Sequence, residues 1–195
     1  MNDTIDKMRR KVKKYLDKDR YTHTLGVMYT AGALAMRYEA DLDRALTAGL
    51  LHDCAKSIPN DKKLRMCRKH HISISPAEQV NPSLLHAKLG AYLASEKYHV
   101  HDRAILSAIA CHTTGKPKMN LLDKIIYIAD YIEPNRAELP NMSRARKLAF
   151  EDIDACLYLL LHDSLIYLGS KGLPVDPMTE NTYRYYKKYL GKEED

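Results

Sequence analysis

The chain has 195 residues, 45% of them hydrophobic and 29% charged, with a formal net charge of +6. That is the balance of one globular domain large enough to bury a substantial core, expected to span residues 1–195 with its body over about 6–170 and a closing helix over about 179–190. The start, MNDTIDKMRRKVKKYL, is charged and helical where a secretory signal would be apolar. The most apolar segment, Ala155 to Leu168, is interrupted by His162, Asp163 and Ser164 and is too short to span a bilayer. The four cysteines (Cys54, Cys67, Cys111, Cys156) form no C-x-x-C pair and show no regular spacing, which argues against a zinc ribbon or a disulfide framework and suits isolated buried thiols in a reducing cytosol. The basic balance favours an anionic partner without naming it, and the Lys7–Lys14 and Lys62–Lys69 clusters read as solvated helix faces.

In chain order, Asp3 or Thr4 can cap a first helix running to about Asp17, and a second spans roughly Tyr21 to Glu39. Asp41 caps a third, which carries AGLLHDCAK and stops near Ser57-Ile58-Pro59; Asn60 opens a fourth, up to about His71. ISISPAEQVNPS reads as an irregular connection, with Pro76 and Pro82 blocking regular structure. HAKLGAYLASEKYHV and HDRAILSAIACHT follow as two helices, the second closed by Gly115 as a C-terminal cap. MNLLDKIIYIADYIE is the next helix, ended by Pro134. Ser143 to about Leu168 reads as one long helix closed by Gly169, and Thr179 to Leu190 as a short last one. No alternating strand pattern appears, so the expected fold is all-α, a compact multi-helix array.

His52-Asp53 anchors the chemistry. It follows the small, apolar Ala48-Gly49-Leu50-Leu51, where an imidazole and a carboxylate need partners. A divalent metal supplies one, since imidazole nitrogen with carboxylate oxygen suits iron, manganese or zinc. His23 on the preceding helix, His86 at a helix start, His112 one turn before a glycine cap and Asp130 inside IIYIADYIE have comparable settings. Each alone reads as a satisfied core or capping residue. Together, helices around a common core can aim all six at one place.

The order His23, His52-Asp53, Asp130 resembles the H…HD…D signature of the HD-domain phosphohydrolases, and His86 and His112 resemble the additional histidines of its two-metal members. RYTHTLGV, GLLHDCAK, LLHAKLGAYLA and AIACHTTGKPKMNLLDKIIYIADYIEPNR are similar to the YqeK family of symmetrical dinucleoside tetraphosphatases over about Asp6 to Leu190. HTTG and ADYIEPNR are the most discriminating strings. The resemblance implies a binuclear site preferring iron, with manganese or another transition metal as substitutes, and hydrolysis of diadenosine tetraphosphate to two ADP. One metal is assigned His23, His52, Asp53 and Asp130, the other His86, His112 and a bridging oxygen of Asp53.

Two metals sharing a water lower its pKa and neutralise phosphate oxygens, with Asp53 fixing the geometry; no Ser or Cys nucleophile is needed. Lys56, three residues after Asp53, and Arg136, directly after the Asp130 helix, are expected to hold phosphates. Lys56 could instead complete carbonyls at its helix end. His112, Thr113, Thr114, Gly115 and Lys116 are expected to line the nucleotide pocket, together with Arg136. Glu133 is either an orienter of a ligating histidine or an exposed helix end. Tyr183, Tyr185, Tyr186 and Tyr189 read as packing residues before base-stacking ones. His70, His71, His99, His101 and His162 read as surface or core histidines. Cys54 and Cys111 neighbour ligands, but adjacent helical residues point about 100° apart. The expected partner is a dissolved nucleotide, with no membrane and no stable nucleic acid; a homodimer stays open. Other readings are an HD hydrolase of a deoxynucleoside monophosphate, guanosine tetraphosphate or a cyclic dinucleotide, and a nucleotide-binding module without turnover.

Overall fold

Six short polar side chains set where helices begin. In the computed structural model, which describes residues 3–172 and 175–190, Asp17, Asp41, Ser75, Asp102, Asn120 and Asp152 each accept a hydrogen bond from a backbone N–H of the turn that follows. These are donors that a helix start otherwise leaves unpaired. The helices are α1 (Asp3–Lys13), α2 (Lys18–Arg37), α3 (Leu42–Leu51), α4 (Asn60–Lys69), α5 (Pro76–Val80), α6 (His86–Tyr98), α7 (Arg103–Cys111), α8 (Leu121–Ile132), α9 (Met142–Glu151), α10 (Ile153–Ser170) and α11 (Pro177–Leu190). A 3₁₀ turn, Pro82–Leu85, leads into α6. No strand occurs among the described residues, and the fold is all-α as expected. None of the described helices is long and apolar enough to cross a membrane.

α2 lies along α3; α6, α7 and α8 pack in succession; α10 contacts α8, α9 and α11. One apolar cluster draws on Ile5 of α1, Val27 and Met28 of α2, Leu50 and Leu51 of α3, Ile125, Ile126 and Ile128 of α8, and Leu157, Leu160 and Leu161 of α10. Ala55, Cys67, Leu85 and Leu89 form a smaller one. The four cysteines are free and buried. The α2–α3 contact is close because residue 49 is glycine: a Cβ there would lie 2.9 Å from Met28 Cα and 3.2 Å from Val27 O.

Several boundaries differ from the sequence-based expectation, each for a local reason. α1 stops at Lys13, short of Asp17, because Asp17 caps α2: its carboxylate accepts from Arg20 N at 2.8 Å. Pro76 and Pro82 start helical segments instead of blocking them. Proline suits the first helical position, and Ser75 with Glu78 forms a reciprocal capping box ahead of α5. The long helix expected from Ser143 is broken at Asp152, whose side chain accepts from Asp154 N and Ala155 N to open α10. α3 ends at Leu51, so His52-Asp53 lies just past it, in a turn tightened by Cys54 N→Leu51 O (3.1 Å), Lys56 N→Asp53 O (2.9 Å) and Ile58 N→Ala55 O (3.2 Å). Gly115 does close the α7 end, with φ +65° and its N–H donating to Cys111 O at 2.8 Å.

Candidate metal centre

Three histidines sit at helix C-caps: His52 after α3, His86 after the 3₁₀ turn and His112 after α7. The last carbonyls of a helix lack intrahelical partners, and each ring takes one of them. His52 Nδ1 donates to Gly49 O at 2.7 Å, His86 Nδ1 to Ser83 O at 2.6 Å and His112 Nδ1 to Ile109 O at 2.7 Å. A carbonyl only accepts, so the proton is on Nδ1 and each Nε2 carries a lone pair. His23, inside α2, is held at Nδ1 by Glu133 Oε1 at 3.1 Å. The other Glu133 oxygen accepts from Asn135 N and Nδ2 at 2.7 and 3.0 Å. Glu133 is buried, so the exposed-end alternative for it fails. Gly26 makes room for this carboxylate: a Cβ would lie 2.9 Å from Glu133 Cδ and collide with Oε2.

The four Nε2 atoms face the two aspartates. His23 Nε2 is 3.0 Å from Asp130 Oδ1, and His52 Nε2 is 3.8 Å from the same oxygen and 3.7 Å from Asp53 Oδ2. On the other side, Asp53 Oδ1 is 3.2 Å from His86 Nε2 and 3.5 Å from His112 Nε2. His23 Nε2, His52 Nε2 and Asp53 Oδ1 are buried and make no hydrogen bond of acceptable geometry. The Nε2 atoms of His86 and His112 stand 3.1 Å apart. Lone pairs and carboxylate oxygens crowded together without protons are costly when buried unless a cation joins them. The six residues therefore fit divalent metals in donor type, tautomer and spacing; His23–His52–Asp130 and His52–Asp53–His112 are the two tight groups.

At His52, His86, Asp53 and Asp130 protonation suits the same role. Burial pushes His52 down to about 4 and also lowers His86. Burial opposes ionisation of Asp53, but the His52 ring and contacts with His112 and His86 outweigh it and hold the carboxyl well below its ordinary range. Asp130 is lowered in the same way, burial being outweighed by His23, His52 and Arg136. For His23, burial is outweighed by Asp130 and Glu133, and its pKa rises. A neutral His52 refuses a proton that the unfolded chain accepts near its ordinary 6.5, so stability falls with pH across the interval from 6.5 to about 4. His86 acts in the same sense and His23 in the opposite one. Metal-stripped protein should lose about 3 kcal/mol through His52 over that interval. Urea titrations at both ends measure it; equal or greater stability at the acid end refutes it.

A cavity of about 800 Å³ opens beside the cluster, lined by Lys56, His112, Thr113, Thr114, Tyr127, Asp130, Tyr131 and Arg136 among others. Lys56 Nζ lies 3.2 Å from His86 Nε2 and 3.8 Å from Asp53 Oδ1, because in the tightened turn residues three apart eclipse. It therefore points at the cluster, and not at helix-end carbonyls. Arg136 Nη1 is 3.4 Å from Asp130 Oδ1. Two pocket expectations are corrected. Gly115 packs against Thr182 of α11, and Lys116 turns the other way to pair with buried Asp123 at 2.8 Å and with Ser107.

The tyrosines of α11 pack: Tyr183 stacks on Tyr158 at 5.6 Å, and the Tyr186 hydroxyl accepts from Met119 N at 2.9 Å. The Tyr189 side chain lies outside the described residues. Cys54 and Cys111 turn to the Gly90 and Ala108 carbonyls, and burial pushes both thiols up to about 12. Sequence reasoning missed Arg20, whose Nη1 donates to Asp53 Oδ2 at 2.9 Å. Its spacing of three from His23, one turn along α2, was the available signal.

The chain matches the HD domain family over residues 20–135. It is 42% identical to the symmetrical bis(5'-nucleosyl)-tetraphosphatase of Bacillus subtilis (strain 168), over 89% of this chain and 92% of that protein. It is 32% identical to the protein of the same name from Staphylococcus aureus (strain NCTC 8325 / PS 47), over 93% and 94%. A crystal structure from Clostridium acetobutylicum, described as an HD superfamily hydrolase involved in NAD metabolism, superposes with a TM-score of 0.91 at 38% identity, covering 94% of this chain and 97% of that one. With its ligand cluster assembled in the H…HD…D order and relatives matched nearly end to end, the chain belongs to the HD-domain hydrolases, in the YqeK family of symmetrical bis(5'-nucleosyl)-tetraphosphatases.

Proposed function

We propose that the protein hydrolyses diadenosine tetraphosphate symmetrically to two ADP at a pair of divalent metals, iron by preference, in the cytoplasm. His23, His52, Asp53 and Asp130 would hold one metal, and His86, His112 and the second oxygen of Asp53 the other. Such a pair supplies a water of lowered pKa and neutralises charge at phosphorus. The observation that carries the reading is the convergence of four imidazole Nε2 atoms on two aspartates, with His23 Nε2, His52 Nε2 and Asp53 Oδ1 buried and unpartnered, beside an open cavity that Lys56 and Arg136 help to line.

The residues have distinct tasks. Asp53 offers one oxygen to each histidine group and so sets the spacing between them. Lys56 and Arg136 bind phosphate oxygens of the half-molecule in the cavity, the arginine through its planar fork. Thr113 and Thr114 offer hydroxyls at the cavity wall. Charge balance at the cluster itself, Asp163 and Asp176 of the cavity wall not counted, suits a polyphosphate. The carboxylates Asp53, Asp130 and Glu133 are matched by the cations Arg20, Lys56 and Arg136. The charge of two metals is then left for the substrate, and a tetraphosphate with one negative charge on each phosphate offsets it.

Anaerobically iron-loaded protein should release ADP as the sole nucleotide product from diadenosine tetraphosphate, followed by chromatography. Release of ATP with AMP, or no turnover alongside hydrolysis of a deoxynucleoside monophosphate, guanosine tetraphosphate or a cyclic dinucleotide, overturns the reading.

A further inference from the structure

Among the described residues, Lys56, Arg136 and Arg20 pair with the aspartates of the cluster, and they approach from different directions. Lys56 reaches the Oδ1 side of Asp53 and Arg136 reaches Asp130; both line the cavity. Arg20 approaches Asp53 through the opposite oxygen, Oδ2, at 2.9 Å and is not in the cavity wall. Its side chain is 32% exposed, and among the described residues its guanidinium has this one hydrogen-bond partner. The fork is thus held at one nitrogen, with donors left over that turn to solvent at the edge of the centre.

From this placement we infer that Arg20 binds the departing half of the substrate, the nucleoside diphosphate that does not enter the cavity. The inference rests on the proposed reading as a tetraphosphate hydrolase. A bond cut in the middle of four phosphates leaves two phosphates on each side of the reacting centre. Lys56 and Arg136 serve the side in the cavity, and Arg20 presents a cation to Asp53 from outside its wall. Its bond to Asp53 fixes the guanidinium plane beforehand, so little side-chain freedom is lost when phosphate oxygens arrive. The arrangement selects substrates with a diphosphate beyond the scissile bond over those that end there.

The test uses the iron-loaded full-length protein with Arg20→Gln and Arg20→Lys. Arg20→Gln should lower kcat/KM for diadenosine tetraphosphate on the order of 50-fold. Metal content per chain and the inhibition constant of ADP, which occupies the cavity, should stay at wild-type values, and Arg20→Lys should recover part of the loss. A kcat/KM within threefold of wild type overturns the inference. So does a fall in bound metal, which would make Arg20 a positioning residue for Asp53, or an ADP inhibition constant that weakens in parallel. If the wild type leaves diadenosine tetraphosphate intact, the functional reading itself fails and takes the inference with it, an outcome visible before any variant is made.

Discussion

Asp53→Ala is expected to abolish turnover, by more than about 10⁴-fold, and to reduce bound metal below one ion per chain. Among the described residues, Asp53 is the one with an oxygen toward each histidine group: Oδ2 lies 3.7 Å from His52 Nε2, and Oδ1 lies 3.2 Å from His86 Nε2 and 3.5 Å from His112 Nε2. Alanine removes both at once, leaving the groups without a shared anion. Helical content should survive, because Asp53 lies beyond the end of α3 and the rings on either side are anchored to their own backbones. Anaerobic metal quantification, turnover and far-ultraviolet circular dichroism on one preparation provide the check. A variant that keeps two metals and wild-type rates would remove Asp53 from the site.

Gly49→Ala is the substitution expected to cost most in stability for the smallest change in the sequence. In an ordinary helix interior the exchange stabilises by about 1 kcal/mol. Here the added methyl would stand 2.9 Å from Met28 Cα, 3.2 Å from Met28 N and 3.2 Å from Val27 O, all backbone atoms of the facing helix. No rotamer change relieves that contact; α2 and α3 must separate, at about 1–3 kcal/mol net. The same movement draws His23 on α2 away from His52 at the end of α3, whose ring centroids now lie 5.4 Å apart. Bound metal should therefore fall along with the denaturation midpoint. Gly169→Ala, where nothing lies within 4 Å of the new methyl, serves as the control and should not lose stability. A Gly49→Ala protein as stable as its parent would mean that the two helices are not in backbone contact.

Element identity was legible where apolar periodicity and caps agreed, as at Asp41 ahead of α3 and Gly115 after α7. It was obscured where one residue type has two opposite uses. Pro76 and Pro82 stop a helix or start one depending on the cap ahead of them, and Ser75 with Glu78 was the deciding sign. Asp152 breaks a segment that stays apolar on both sides, so periodicity runs through it. The six candidate ligands stood out as polar residues in small or apolar surroundings. Arg20 did not, since a surface cation on a helix is unremarked until a partner 33 positions away comes within reach. Lys116 falls outside the pocket because adjacency in a loop carries no direction; Asp123, which also closes the capping box of α8, holds it. The 100° rule that set aside Cys54 and Cys111 would also have separated His52 from Asp53. The pair faces one centre because α3 has already ended and the chain has tightened.

The anchoring of His52, His86 and His112 to carbonyls three residues back has a consequence for how the centre can fail. None of these rings depends on another ligand for its orientation; each is aimed by a few residues of its own segment. Loss of any one imidazole should leave its neighbours pointing where they did, so damage stays local and occupancy declines stepwise. A centre assembled from independently aimed parts can also be emptied and refilled without the chain having to fold again.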